Sequence, residues 1–298
     1  MADLLSTGIS GVRTYQRALA TVGNNIANVD TEGYSRQRVE IAQSASSSEG
    51  SLNIGNGARA VRVQRSYDNF VVENLRSSQS QLNKHQATLE YVTQLENILA
   101  DKQLSLSTSM DGFFAAVQEV SLAPSSVAAR QNMLNVAEST VAQFTSVGTQ
   151  LSLIEENSYS DLTGQVSSLN QLADQLASVN ASLNRVNSLD KQPNELLDRR
   201  DTLIQDMSKL LRVHLVEKNN GAVDIHIGDV ASGQYLVKDK TASTLGIERS
   251  ATNPDEAVLM LDPFMSPQKV TQVVGGSIAG ISEFRQNSLT ILRDELDT

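Results

Sequence analysis

Near the N-terminus, apolar and small residues recur at alternating intervals of three and four. Leu5, Gly8, Val12, Tyr15, Leu19, Val22, Ile26 and Val29 form one seam of period 3.5, the repeat of a helix that packs along another helix. An α-helix over residues 4–29 extends about 39 Å at roughly 1.5 Å per residue. One apolar stripe cannot cover itself, so this segment is expected to dock on a partner or stay largely unfolded. The turn chemistry of Asp30-Thr31-Glu32-Gly33 ends it, with Gly33 suited to a positive φ.

Beyond this arm (residues 1–34) the pattern changes several times. In residues 35–66, Val39 and Ile41 alternate with polar residues, a Ser-rich tract runs from Ser44 to Ser48, and Asn53-Ile54-Gly55-Asn56-Gly57 precedes the alternating Val61 and Val63. That composition predicts an extended connector of short strands and loops. Helical spacing returns in residues 67–212. Val71, Leu75, Ser78, Leu82, His85, Leu89, Val92 and Leu99 mark one helix, and a shorter one over 107–120 ends before Pro124. A very long helix is predicted over 126–189, uninterrupted by proline, in which Asn157–Ser160 could mark a bend, and another over 194–211 after Pro193. In a β-rich insertion over 213–274, residues 213–261 switch to period two, predicting a small antiparallel sheet with turns at Asn219-Asn220-Gly221 and Gly228-Asp229. A last helix over 275–298 starts at Gly275-Gly276 and meets no stop signal by Thr298, so the natural chain is expected to continue past it. The fold class is therefore mainly α, a long helical bundle or coiled-coil body with a small antiparallel β insertion and an N-terminal amphipathic helical arm.

The net charge of −10 argues against nucleic acid and anionic membrane as main partners. It is uneven: residues 1–66 carry +2 and the remainder −12. Aromatics are only 4% with no Trp, which favours narrow helical seams over a core built on rings. The absence of cysteine excludes disulfides and thiolate metal sites. The first residues lack the basic and apolar regions of a cleavable signal peptide, and no apolar run reaches the ~20 residues of a membrane span.

The run from Ala18 to Gln37 carries a resemblance. Asn25-Ile26-Ala27-Asn28, then Thr31, Gly33 and Tyr34, closely resembles the N-terminal signature of the flagellar axial proteins, the family of rod, hook and hook-associated proteins. Tyr34-Ser35-Arg36-Gln37, Asn194–Asp201 and Leu292–Thr298 resemble its hook-associated members. The resemblance implies a structural subunit at the junction of hook and filament. Its terminal helices would line an inner tube, ordering only on assembly, with a helical body outside. Implied partners are copies of the chain itself, the hook protein and a second hook–filament junction protein. An export chaperone would bind a C-terminal region beyond this sequence. The implied location is extracellular, reached through flagellar type III export without a cleavable signal. The assembly interface is then expected at Leu5, Val12, Tyr15, Leu19, Val22, Asn25, Ile26, Asn28, Thr31, Gly33 and Tyr34, with the Asn24, Asn25 and Asn28 amides bonding between subunits.

Chemical signals are sparse, and no enzyme activity, cofactor or metal is expected. His85 lies in a helical seam, while His214 and His226 fall in different predicted strands. Gly275–Gly280 lacks the spacing and βαβ setting of a dinucleotide loop. Asp198-Arg199-Arg200-Asp201 reads as alternating charge on an exposed helix face. Asn180-Ala181-Ser182 matches a glycosylation acceptor but falls within a helix. Two other classes remain: a soluble coiled-coil signalling or regulatory module built on the long helix, and an enzyme or adhesin built on the β insertion.

Overall fold

The computed structural model describes residues 4–45, 47–49, 52–54, 56–100, 105–186, 188–228, 230–250, 257–262, 266–270 and 272–297. Ser46, Gly55, Asp229 and Thr298, named in the sequence analysis, lie outside these residues, as do residues 1–3. In chain order the elements are α1 (Leu4–Ala27), β1 (Gln37–Gln43), β2 (Ser47–Glu49), β3 (Leu52–Ile54), β4 (Ala58–Arg65), α2 (Asn69–Ala100), α3 (Leu106–Leu122) and α4 (Val127–Leu183). Then follow α5 (Asn194–Leu210), β5 (Val213–Glu217), β6 (Val223–Ile227), β7 (Tyr235–Lys238), β8 (Thr241–Ala242), β9 (Leu245–Arg249), β10 (Ala257–Leu261), β11 (Gln268–Lys269), α6 (Gly276–Phe284) and α7 (Thr290–Asp297). A π-helical turn, Arg285–Leu289, joins α6 to α7.

Helix α4 is continuous over 57 residues, so no break interrupts it at Asn157–Ser160. Its many hydroxyls explain how a Ser- and Thr-rich sequence stays helical. Thr140, Thr145, Thr149, Ser152, Thr163, Ser168 and Ser182 each donate to the carbonyl four residues earlier, which satisfies the side chain without competing for other backbone groups. The helix stops at Leu183, earlier than expected. Gln192 Nε2 donates to the carbonyls of Leu183 (2.7 Å), Val186 (2.9 Å) and Asn220 (2.9 Å), capping the exit from outside the helix.

The chain forms two compact units. The first comprises Met1–Arg76, Gln171–Met207 and Val213–Ser243. Its core joins Ala173, Leu176, Val179 and Leu183 of α4 and Leu197, Ile204 and Met207 of α5 to a four-stranded antiparallel sheet ordered β5-β6-β7-β8. Fully buried Asn180 donates to the carbonyls of Val223 and Asp239 (both 2.7 Å) and accepts from Val223 N–H (3.1 Å). A buried amide with those partners cannot carry a glycan. The register sets His214 opposite His226, and His226 lies buried against the Tyr235 ring, 4.1 Å between centroids. Burial holds His226 below the ordinary histidine range, outweighing the attraction of Asp224; His214 and Lys238 push the same way as burial.

The second unit comprises Ser77–Asn170, Ser208–Arg212 and Thr244–Thr298. Here a three-stranded sheet, ordered β11-β10-β9, accompanies α2, α3, α4 and α6. The period-two stretch therefore makes two sheets rather than the single one expected. Asn170 of α4 explains the break: its side chain donates to Leu245 C=O and accepts from Leu245 N–H (2.8 Å each), occupying the groups that start β9. Tyr91 stacks on Phe284 with centroids 5.2 Å apart and donates its hydroxyl to Asp161. Burial, then that bond, pushes the Tyr91 phenol well above its usual range. Wholly buried Arg285 donates to Glu155 C=O and Ser158 Oγ, 2.7 Å each. Gly280 lets α6 approach α2: a Cβ there would lie 2.3 Å from the Lys84 carbonyl oxygen.

Replacing Gly280 by Ala is expected to destabilise the protein by about 1–3 kcal/mol, since overpacking exceeds the ~1 kcal/mol gain in helix propensity. The urea unfolding midpoint would fall. For His226, a base depressed by folding, stability is lost as pH drops from its unfolded value of 6.5 through its lower folded value. Acidification from about pH 8 to about pH 5 should lower the melting temperature of the wild type more than that of His226→Leu.

Candidate assembly surface and its anchor

The first amphipathic helix is docked the wrong way round for a soluble protein. Leu5, Ile9, Val12, Tyr15, Leu19, Val22, Ile26 and Val29 of α1 and its exit turn leave between 42% and 74% of their surface exposed. The opposite flank, Thr7, Ser10, Thr14 and Asn25, faces the β1–β4 hairpin. Thr14 is buried and donates to Ala58 C=O (3.1 Å), while Ser10 Oγ accepts from Ala58 N–H (3.3 Å) and donates to Thr7 C=O (2.8 Å). Gly57 (φ +85°) makes this approach possible, because a Cβ there would fall 2.1 Å from Ser10 Oγ. The helix therefore docks on its own chain, an outcome outside the two expected, and uses its polar flank. Burying large apolar side chains is worth about 1.5–3 kcal/mol each, so the open stripe holds on the order of 10–20 kcal/mol for a partner.

The residues ending the helix converge into one knot. Asn25 Nδ2 donates to Gln37 C=O (2.8 Å), and Asn25 Oδ1 accepts from Gln37 N–H and Tyr34 Oη (2.9 Å each). One side-chain amide thus stands in for a strand neighbour of β1. Asn28 Nδ2 donates to Asn24 C=O (2.9 Å), and Asn28 Oδ1 accepts from Thr31 Oγ1 (3.3 Å). Gly33 takes φ +79° with Thr202 Oγ1 only 2.2 Å from where a Cβ would sit. The Asn25 and Asn28 amides, expected to bond between subunits, make these bonds within the chain. Val22, Asn25, Ile26, Val29, Tyr34 and Arg36 line a hollow of about 530 Å³ beside the stripe.

At the base of the arm two of the four α5 charges expected on an exposed face are instead buried, while Arg199 is exposed as expected and Asp201 is half-buried. Asp198 and Arg200 retain 9% and 6% exposure. Arg65, at the end of β4, pairs with Asp198 (3.3 Å) and Asp201. Arg76 of α2 reaches Asp201 at 3.6 Å, and Arg200 donates to Asp201 (2.7 Å), Glu217 (2.9 Å) and Gly221 C=O (2.5 Å). Burial raises the Asp198 carboxyl above its ordinary range despite Arg65 and the Ser35 hydrogen bonds. Burial would lower Arg200, but Asp201 and Glu217 overcome it and hold its guanidinium above the ordinary value. A signal for this existed in the sequence. Leu197, Ile204, Met207 and Leu211 step by threes and fours through position 200, so the inward face of α5 includes Arg200. Ser10, Thr14 and Gly57 carried no such signal, because a polar docking flank looks like a solvated one. Among the described residues no group of three or more His, Cys, Asp or Glu is placed to hold a metal ion, and no helix is long and apolar enough to cross a membrane.

Comparison with known proteins gives a consistent picture. The family described as flagellar hook-associated protein FlgK helical domain matches residues 92–298, and that of the flagella basal body rod protein matches residues 5–34. Flagellar hook-associated protein 1 of Salmonella typhimurium is 32% identical over 99% of this chain and 54% of its own length. The Escherichia coli protein of the same name is 30% identical over the same shares. The chain thus spans about half the length of these relatives. Its fold is similar to that of the flagellar hook junction protein FlgK from Burkholderia pseudomallei, with a TM-score of 0.67 at 24% identity, over 75% of this chain and 40% of that one.

Removing the Asn25 amide leaves both Gln37 groups and the Tyr34 hydroxyl without their partner, a loss of about 1–3 kcal/mol. Asn25→Ala should therefore speed amide exchange at Gln37 and the last turn of α1 by about tenfold or more, while exchange in β5–β7 stays unchanged.

Proposed function

The chain belongs to the flagellar hook-associated protein 1 family, and we propose that it is a structural subunit of the bacterial flagellum that joins hook to filament by polymer contacts through its terminal helix. The observation that carries this reading is the outward apolar stripe of α1 with the polar flank already committed to the hairpin. Among the described residues nothing covers that stripe, and other molecules would cover it. In a tube, copies of the chain cover one another, and the hook protein and a second junction protein cover the copies at either end. Leu5, Val12, Tyr15, Leu19, Val22 and Ile26 carry the contact. Asn25, Asn28, Thr31, Gly33 and Tyr34 hold the helix in the posture that presents it. An export chaperone is a further partner on this reading. The subunit works outside the cell, reached by type III export without a cleaved signal.

The reading needs no catalytic group, and the role is structural rather than enzymatic. The coiled-coil signalling alternative loses its main support in α4. Its heptad-spaced Leu162, Leu169, Leu176 and Leu183 are fully buried by the chain itself, so that seam has nothing left to offer a constitutive dimer.

Val22→Asp or Ile26→Asp in the full-length protein should abolish incorporation into the flagellum, since each puts a charge on the contact stripe. Both positions are exposed in the monomer, so its unfolding free energy should change by no more than the roughly ±0.5 kcal/mol usual for surface changes. Cells carrying either change that grow normal filaments would refute the proposal.

A further inference from the structure

We propose that Arg65, Asp198 and Asp201 form an ionic latch that sets the direction of the N-terminal arm, making these three positioning residues. The arm, α1 with its hairpin, joins the rest of its unit through two short segments, residues 34–36 and 66–68, tied together by Ser66 N–H donating to Arg36 C=O (2.7 Å). At that neck the bonds to α5 are polar. Arg65 spans Asp198 and Asp201, Ser35 N–H donates to Asp198 (3.4 Å), and Asn194 Nδ2 donates to Val63 C=O (3.2 Å). Asp201 also gathers Arg76 from α2 and Arg200 from α5 itself, and Arg200 reaches Glu217 at the end of β5. One carboxylate therefore references the arm to three other elements.

Two features distinguish a latch from ordinary packing. Next to the cluster is a hollow of about 320 Å³ lined by Arg65, Tyr67, Gln192, Leu197, Arg200 and Glu217, so β4 and α5 do not close into an apolar seam there. Arg65 Nη1 and Arg76 Nε are buried without a hydrogen-bond partner, which leaves the guanidiniums more donors than the carboxylates satisfy. Charge-assisted hydrogen bonds are directional, and buried ion pairs are better at specifying an arrangement than at adding net stability. An arm fixed in this way has a defined direction and is re-aimed when Arg65 releases one of the two carboxylates it spans. That suits a subunit meeting two differently packed neighbours. The use suggested rests on the proposed function; the latch is tested on the isolated protein and stands or falls separately.

The 298 residues contain no cysteine, so spin labels at Arg59→Cys on β4 and Ser178→Cys on α4 report arm direction in the full chain. The wild type should give one narrow distance distribution. Arg65→Gln and, separately, Asp198→Asn should broaden it at least about twofold and speed tryptic cleavage within residues 1–66 by about tenfold, while helix content and the melting transition of the remainder are retained. Arg65→Lys, which keeps the charge, should restore part of the narrowness; Arg38→Gln, at an exposed β1 position, should change nothing. Each latch variant leaves Asp201 with Arg76 and Arg200, so folding does not hang on the change. An unaltered distribution in Arg65→Gln would overturn the proposal. Loss of helix content in step with the broadening would overturn it too, since the cluster would then hold the fold and not the arm's direction.

Discussion

The rest of the molecule's behaviour depends on which flank of α1 is satisfied locally. Hydrophobic burial normally decides how an amphipathic helix docks, because it outweighs a few neutral hydrogen bonds. Here the hairpin β1–β4 offers α1 backbone groups and a glycine at close range, and Ser10, Thr14 and Asn25 fill those demands one for one. Among the described residues the apolar flank stays exposed. The helix is therefore held in place by polar contacts while its strongest source of binding energy stays unspent. On the proposed function, that separation leaves the apolar stripe available to a partner with a matching groove.

Much of the architecture was legible as periodicity. The seam over residues 4–29 and the long stretch before Leu183 became helices and the alternation after Val213 became strands, in two sheets rather than one, because spacing alone decides which residues share a face. What spacing does not encode is the partner of each face. Asn170 and Asn180 are ordinary polar residues of a helix in the sequence; in the fold, one starts a separate strand group and the other pins β6 and the β7–β8 turn. Gln192 was equally silent, and it decides where α4 stops. Side-chain amides that imitate backbone partners are legible only once both backbones are in place.

The Asp198–Asp201 stretch shows a second limit. Two acids and two arginines in four positions read as a solvated surface, since most such runs are. Helical phase contradicts that reading for Arg200, and the presence of Arg65 and Arg76 elsewhere in the chain supplies countercharges that no local window contains. A charged run interrupting an inward apolar track is therefore better tested against its phase than against its composition.

A common economy links these observations. With few aromatic rings available, the protein does not rely on bulky hydrocarbon at the places where several segments meet, and each unit uses a helix carboxylate instead. In one, Asp201 collects Arg65, Arg76 and Arg200. In the other, Glu155 collects Arg249 (3.4 Å), Arg285 (3.7 Å) and Arg293 (2.8 Å). Tyrosine faces accompany both clusters: Arg65 lies over Tyr67 at 4.8 Å and Arg249 over Tyr159 at 4.6 Å. A guanidinium carries five donors in a fixed plane, so each such meeting point fixes angles as well as distances. Desolvation consumes most of the attraction, and what remains is chiefly specificity of arrangement. A fixed arrangement of segments is what the proposed structural role asks of buried charge.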